Sequence, residues 1–173
     1  MKLKRTVEIG YLGKNCKKIM NNLNNLEIKF IFCPELREIK EIVDVYEQTN
    51  WIRIKEKEDR AYYMNLVSQM VTGSFLFTVA VLDGKIVGTG RAISDKASDA
   101  YIQDVVIMEN FRNQGIGAQI IKSLIDKLKE KKIKWIALIA RENSNKFYEK
   151  LGFHEIRNTT PMQYYISTED KKY

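Results

Sequence analysis

FRNQGIGAQIIKSLIDKL, residues 111–128, sets Gly115 and Gly117 at the head of a run in which Ile116, Ile120, Ile121, Leu124, Ile125 and Leu128 recur at helical spacing. That stripe predicts an amphipathic helix starting near residue 114, with one face packed on a sheet. Glycine is a poor helix former, costing about 1 kcal/mol relative to alanine at each interior position. Its presence at a helix start has a chemical reason. The first backbone N–H groups of a helix lack intrahelical partners and lie at the positive end of its dipole. Such an end suits a phosphate, and glycine lets a ligand come close to the backbone. The plainer alternative is that the glycines let the helix pack tightly on its strand. A dinucleotide fingerprint would need a third glycine where Ile120 stands, and the GK[ST] ending of a phosphate-binding P-loop is absent.

Outward from this helix the chain reads as alternating elements. LEIKFIF at 26–32 alternates as a strand, and ELREIKEIVDVYEQT after Pro34 places Leu36, Ile39, Val43 and Tyr46 on one helical stripe. A second helix is expected over residues 57–71. FLFTVAVL and KIVGTGRAI flank Asp83-Gly84, a dipeptide that favours a tight hairpin turn. AYIQDVVIM at 100–108 is a further strand, WIALIA at 135–140 reads as a buried one, and a short helix leads into Gly152. Two last strands are expected near residues 154–157 and 162–167. No repeat, low-complexity segment or linker divides the chain, so a single α/β domain with a mixed sheet is the natural architecture.

The 173 residues suffice for a substantial core, and 45% hydrophobic with 29% charged residues is the balance of a globular protein. No apolar run approaches the roughly 18 residues of a membrane helix, and the N-terminus lacks the apolar stretch of a secretory signal, so a cytoplasmic protein is expected. Cys16 and Cys33, with His154 as the one histidine, make neither a disulfide framework nor a familiar metal site. No metal is expected. Of the net charge of +7, residues 1–20 supply five, through Lys2, Lys4, Arg5, Lys14, Lys17 and Lys18 against Glu8. Such a patch attracts anions over long range. Without interleaved aromatics or a recognition helix, it reads as a solvated face rather than a nucleic-acid surface.

RNQGIGA resembles the [QR]-x-x-G-x-[GA] signature of the GCN5-related N-acetyltransferases (GNAT), preceded by the strand YIQDVVIM and followed by FYEKLGF at 147–153. With IVGTGRA upstream, the resemblance covers residues 27–167 or so. The segments WIRIKEKEDRAYYMNL and RAISDKASDAYIQDVVI are similar to bacterial and plastid-type small-amine acetyltransferases. The resemblance divides the chain into a basic N-terminal extension, residues 1–26, and a GNAT-like domain, residues 27–173, whose central parallel strands splay apart.

It also implies a set of roles. The pyrophosphate of acetyl-CoA would rest on the amides of Asn113, Gln114, Gly115, Ile116, Gly117 and Ala118, with Arg112 holding the turn or adding charge. The amide-rich pantetheine arm would pair with the backbone of Val105, Val106 and Ile107, as an added strand does. Tyr148 would protonate the departing thiolate, which suits a phenol of pKa near 10. Asn143 is a cofactor-binding candidate, although Asn143 and Asn145 lie closer to Tyr148 than the asparagine many relatives use. An ammonium must lose a proton before it attacks. Asp104 is the candidate base; Glu109 reads as solvated.

The expected activity is acetyl transfer from acetyl-CoA to a primary amine, on a small molecule or a peptide, by direct transfer in a ternary complex. The alternatives are an acetyl-CoA-binding sensor of the same fold and a basic nucleic-acid-binding module. Trp51, Tyr62, Tyr63 and Met162 are candidates for an apolar acceptor pocket. The acceptor and the oligomeric state stay open.

Overall fold

Asp83 and Gly84 take positive φ values of 49° and 78°, the geometry of the tight turn expected of this dipeptide, and join the two strands of an antiparallel hairpin. The computed structural model describes residues 23–164 and 166. Strand β1 (Leu26–Phe30) is followed by helices α1 (Leu36–Gln48) and α2 (Lys57–Gly73), then by β2 (Leu76–Leu82), β3 (Lys85–Ser94) and β4 (Asp99–Ile107). Helix α3 (Ile116–Glu130), strand β5 (Trp135–Ala137) and helix α4 (Asn145–Glu149) complete the order. The five strands lie in sequence order, antiparallel from β1 to β4 and parallel between β4 and β5. This is the mixed α/β architecture that the sequence predicts. Residues 1–20, Cys16 included, lie outside the described residues.

Alternation along the strands divides the core into two layers. Leu76, Ala80 and Leu82 face α3, which buries Ile116, Ile120, Leu124 and Leu128 against them. Phe77 and Val79 face the other way, onto Ile42, Val43, Val45 and Tyr46 of α1 and Val67 and Val71 of α2. Gly90 lets α3 sit this close. A β-carbon there would lie 2.6 Å from Ile120 Cγ2. At the start of the described residues Leu23 packs on the α3 layer, and Asn25 donates to Asp83.

Strand β4 changes parity midway. Ala100 and Ile102 pack in the α3 layer, yet beyond Asp104 it is Val105 and Ile107 that join that layer, while Val106 faces α1 and α2. Asp104 has φ 53°, and the β3–β4 register slips between Thr89↔Val106 and Arg91↔Gln103. This is a β-bulge, one extra residue that bends the strand and exchanges its faces.

Several expectations are corrected. Helix α3 begins at Ile116 rather than near 114, because Gly115 is its N-cap at φ 83° and stands outside the helix. Glycine there supplies a left-handed turn, and the cost inside the helix falls on Gly117 alone. Leu36 is exposed at the first residue of α1, and Ile42 and Val45 are buried in its stead. The strand expected over 135–140 pairs for three residues, since β4 bends away at its bulge. Residues 154–157 and 162–164 form no strand, interrupted by Asn158 at φ 57° and by Pro161, which has no N–H to give; residues 165 and 167 lie outside the described residues.

Candidate active site

Pairing between β4 and β5 ends at Tyr101↔Ala137. From there to Ile107, β4 has no strand on that side among the described residues. Met108 N–H donates to the Val87 carbonyl of β3 at 3.0 Å. Alternation therefore turns the peptide groups of Val106 toward β3 and those of Val105 and Ile107 toward the open edge. The Ile107 carbonyl is already used: Arg112 Nε donates to it at 3.0 Å, so Arg112 holds the turn that follows the strand. Glu109 is exposed on that turn, 3.4 Å from the Arg112 guanidinium.

The turn ends on a row of free donors. Among the described residues, none of the backbone N–H groups of residues 113–118 finds a backbone acceptor; the first such bond runs from Gln119 to the Gly115 carbonyl at 3.1 Å. Asn113 and Gly115 both adopt left-handed backbone, with φ 61° and 83°. A β-carbon at Gly115 would meet nothing within 4 Å. One at Gly117 would look into the cleft between β4 and α4, 3.5 Å from Phe147 Cζ and 3.7 Å from Ile107 Cγ1. An unpaired strand edge leading to unpaired helix-start amides fits a long ligand with amides along its arm and phosphate at its end.

Tyr148 stands on α4 across this cleft, half-buried, with its ring edge-on to Phe147 at 5.0 Å and to Phe153 at 6.0 Å. Burial raises its phenol above the ordinary value, and the positive charge of Arg141 opposes that rise. A cavity of about 580 Å³ beside Tyr148 is lined by Tyr101, Trp135, Ile139, Phe153 and Ile156 among others. A larger one, about 850 Å³, lies at the hairpin end of the sheet against Arg37, Glu41 and Asp83, with Tyr148 no part of its wall. Asn143 sits at φ 64° in the turn before α4, exposed to solvent. Ser144 closes that turn through its N–H and hydroxyl, which both donate to the Arg141 carbonyl.

At the bulge, Arg91 Nε donates to the Asp104 carboxylate, and its terminal nitrogen donates to Gln103 at 3.0 Å. Both ion-paired side chains are largely shielded from solvent. Thr89 donates to the Asp104 carbonyl at 3.3 Å, and the Tyr46 hydroxyl lies 3.5 Å from Thr89 Oγ1. Burial raises the Tyr46 phenol strongly. Sequence reasoning missed Arg91, Tyr46 and Arg141. Only Arg91 left a signal, as a cation inside the apolar strand KIVGTGRAIS facing an acid in the next one. The four residues expected around an acceptor pocket diverge. Trp51 stacks on Tyr46 with centroids 5.6 Å apart, Tyr63 packs on the α1 and α2 layer, while Tyr62 and Met162 are exposed.

Among the described residues no helix is long and apolar enough to cross a membrane, and no cluster of three or more His, Cys, Asp or Glu could hold a metal. A family described as the acetyltransferase (GNAT) domain matches residues 53–166. The uncharacterized N-acetyltransferase ycf52 of Pyropia yezoensis is 30% identical over 145 residues, covering 81% of each chain. The GCN5-related N-acetyltransferase 2, chloroplastic, of Arabidopsis thaliana is 36% identical over 69 residues, 40% of this chain and 27% of its own length. In fold, the GNAT family acetyltransferase SP0256 of Streptococcus pneumoniae superposes with a TM-score of 0.65 at 21% identity, over 81% of this chain and 97% of that one. A sheet that splays beside an amide-lined helix start, and relatives that match across most of the chain, lead to one conclusion: the protein belongs to the GNAT superfamily and is an N-acetyltransferase.

Proposed function

We propose that the protein transfers the acetyl group of acetyl-CoA to a primary amine directly, within a ternary complex. The observation that carries the reading is the open edge of β4, followed after the turn that Arg112 holds by the free amides of residues 113–118. When bound, acetyl-CoA supplies a thioester, whose C–S bond breaks as the amine nitrogen forms a bond to the carbonyl carbon. Val105 offers its peptide groups and Ile107 its N–H to the pantetheine arm, while Val106, expected beside them, is turned toward β3 and takes no part in this contact. Asn113, Gln114, Gly115, Ile116, Gly117 and Ala118 offer N–H donors to the pyrophosphate, each charge-assisted bond contributing about 1.5–3 kcal/mol.

Tyr148 gives its proton to the leaving sulfur. A phenol raised by burial stays protonated through neutral pH, so the acid is in its working form. Asp104, engaged by Arg91, fixes the bulge and is available as a proton acceptor only by sharing its carboxylate with that guanidinium. Asn143 is an auxiliary contact to the cofactor, and no nucleophilic side chain is required. Cytoplasmic residence is part of the proposal, tested by locating the tagged protein in cells. The test of the reaction is a thiol-release assay with acetyl-CoA against small amines, polyamines, aminoglycosides and peptides. Amine-dependent release with an acetylated product supports transfer. Tight acetyl-CoA binding with no release for any amine supports a sensor instead.

A further inference from the structure

Arg141 bridges the two walls of the splay. It follows β5, yet its guanidinium carbon lies 5.1 Å from the ring centroid of Trp51, on the segment between α1 and α2. Trp51 stacks on Tyr46, and Tyr46 reaches the bulge through Thr89. On its own side Arg141 is anchored by Ser144, whose N–H and hydroxyl donate to its carbonyl at 3.0 and 2.6 Å. Trp51 thus contacts the side chain, and Ser144 fixes the backbone from which it springs.

Its charge is also uncommitted. Arg91 is matched by Asp104 and Arg60 by Asp44 and Glu47, whereas Arg53 and Arg157 form no ion pair among the described residues. Among the described residues Arg141 forms no ion pair, although Glu142 adjoins it and Glu149 stands on α4. A guanidinium carries its N–H donors in its own plane, and contact with an aromatic ring leaves them free to bond elsewhere. Donors so placed fit a carboxylate or a phosphate bidentately. A polyamine would meet like charge at the same point.

We propose that Arg141 is a specificity-determining residue that binds an anionic group on the acceptor, so the preferred substrates are amines that also carry a carboxylate or a phosphate. The inference rests on the acetyltransferase reading and deepens it. Trp51 orients the guanidinium, Arg141 holds the anion, and the amine is thereby directed toward the bulge and Tyr148.

The test compares amines that differ only in the anion: tyramine with tyrosine for a carboxylate, ethanolamine with O-phosphoethanolamine for a phosphate. In the wild-type protein kcat/KM is expected to favour the anionic member of at least one pair about tenfold or more, and the favoured pair identifies the anion. Arg141→Gln should bring that ratio near one, and Arg141→Lys should keep part of it, since charge survives while the planar fork is lost. General damage to folding or acetyl-CoA binding slows both members alike and cancels in the ratio. If neither pair turns over, calorimetric titration of the same four amines into CoA-saturated protein reads the selectivity. Absent turnover then counts against the transfer reading, and absent selectivity against Arg141. A wild-type preference for the uncharged members or for spermidine, an unchanged ratio in Arg141→Gln, or loss of acetyl-CoA affinity with the ratio intact would overturn the proposal.

Discussion

The two flanks of β4 are built to different ends. Toward β3 the strand is paired on both sides of its bulge, from Ala100 opposite Ser94 to Ile107 opposite Gly88, and its side chains enter both core layers. Toward β5 it is paired for three residues and then left open. A peptide group bonded to a neighbouring strand contributes to the fold and has nothing left to offer a ligand. An open edge gives up that contribution and keeps its donors and acceptors for another molecule. Under the proposed function, stability and acetyl-CoA binding separate across one strand, and substitutions on the two flanks should fail in different ways.

The largest effect is expected at Tyr148. Tyr148→Phe keeps the ring between Phe147 and Phe153 and removes the proton donor, so kcat should fall by about 10² to 10⁴ while KM for acetyl-CoA and the melting temperature stay near wild type. Steady-state rates on an accepted amine measure this. A folded variant keeping more than about a third of kcat would refute Tyr148 as the acid. On the closed flank, Leu124→Ala opens a cavity in the α3 layer and should destabilise by about 2–5 kcal/mol in denaturant unfolding. The acetyl-CoA affinity of the folded protein should hold; if it falls in proportion, the two flanks are not separable.

Gly117→Val tests the open flank by filling space. Because a β-carbon there has ordinary contacts, the fold should survive while the branched side chain crowds the cleft. Losing two amide bonds costs about 3 kcal/mol, roughly a hundredfold in affinity. Calorimetry on the folded variant measures it, and unchanged affinity would make the glycine a packing residue only.

The smallest effect concerns pH. Burial raises the folded-state pKa of Tyr46 above its unfolded value of about 10, so the stability linked to its proton is present below pH 10 and is lost as pH rises beyond it. Tyr46→Phe should therefore lose less stability than wild type between about pH 9 and 11. Equal losses in urea melts at the two pH values would show that Tyr46 does not govern the alkaline limb.

Legibility in the sequence followed the range of the interaction. The α3 stripe, the Asp83-Gly84 turn and the order of elements from β1 to α4 rest on spacing within a few residues, and each stands in the structure, whereas the two strands expected after α4 do not form over residues 154–157 and 162–164. The parity change at Asp104 was not read from the sequence: Gln103 and Asp104 interrupt the apolar residues of AYIQDVVIM, but a polar pair inside a strand does not by itself distinguish a bulge from a regular position. Its consequence, the early end of β5, was hidden with it. At the candidate site, the glycine signature and FYEKLGF lie against the same cleft, Gly117 beside Phe147. The Arg91–Asp104 and Arg141–Trp51 contacts join residues 13 and 90 positions apart, beyond what local spacing carries.

The bulge at Asp104 also bears on how the chain finds its alignment. A uniform strand can slide by two residues against its neighbour and still present apolar side chains to the correct layer. In β4 such a slide would carry the parity change away from Gly90, the place where α3 comes closest to the sheet. Apolar side chains near the bulge would then face the wrong layer, so misaligned pairings of β3 and β4 are penalised on both faces together. The same extra residue that opens a cleft in the finished protein acts, during folding, as a key that admits one register.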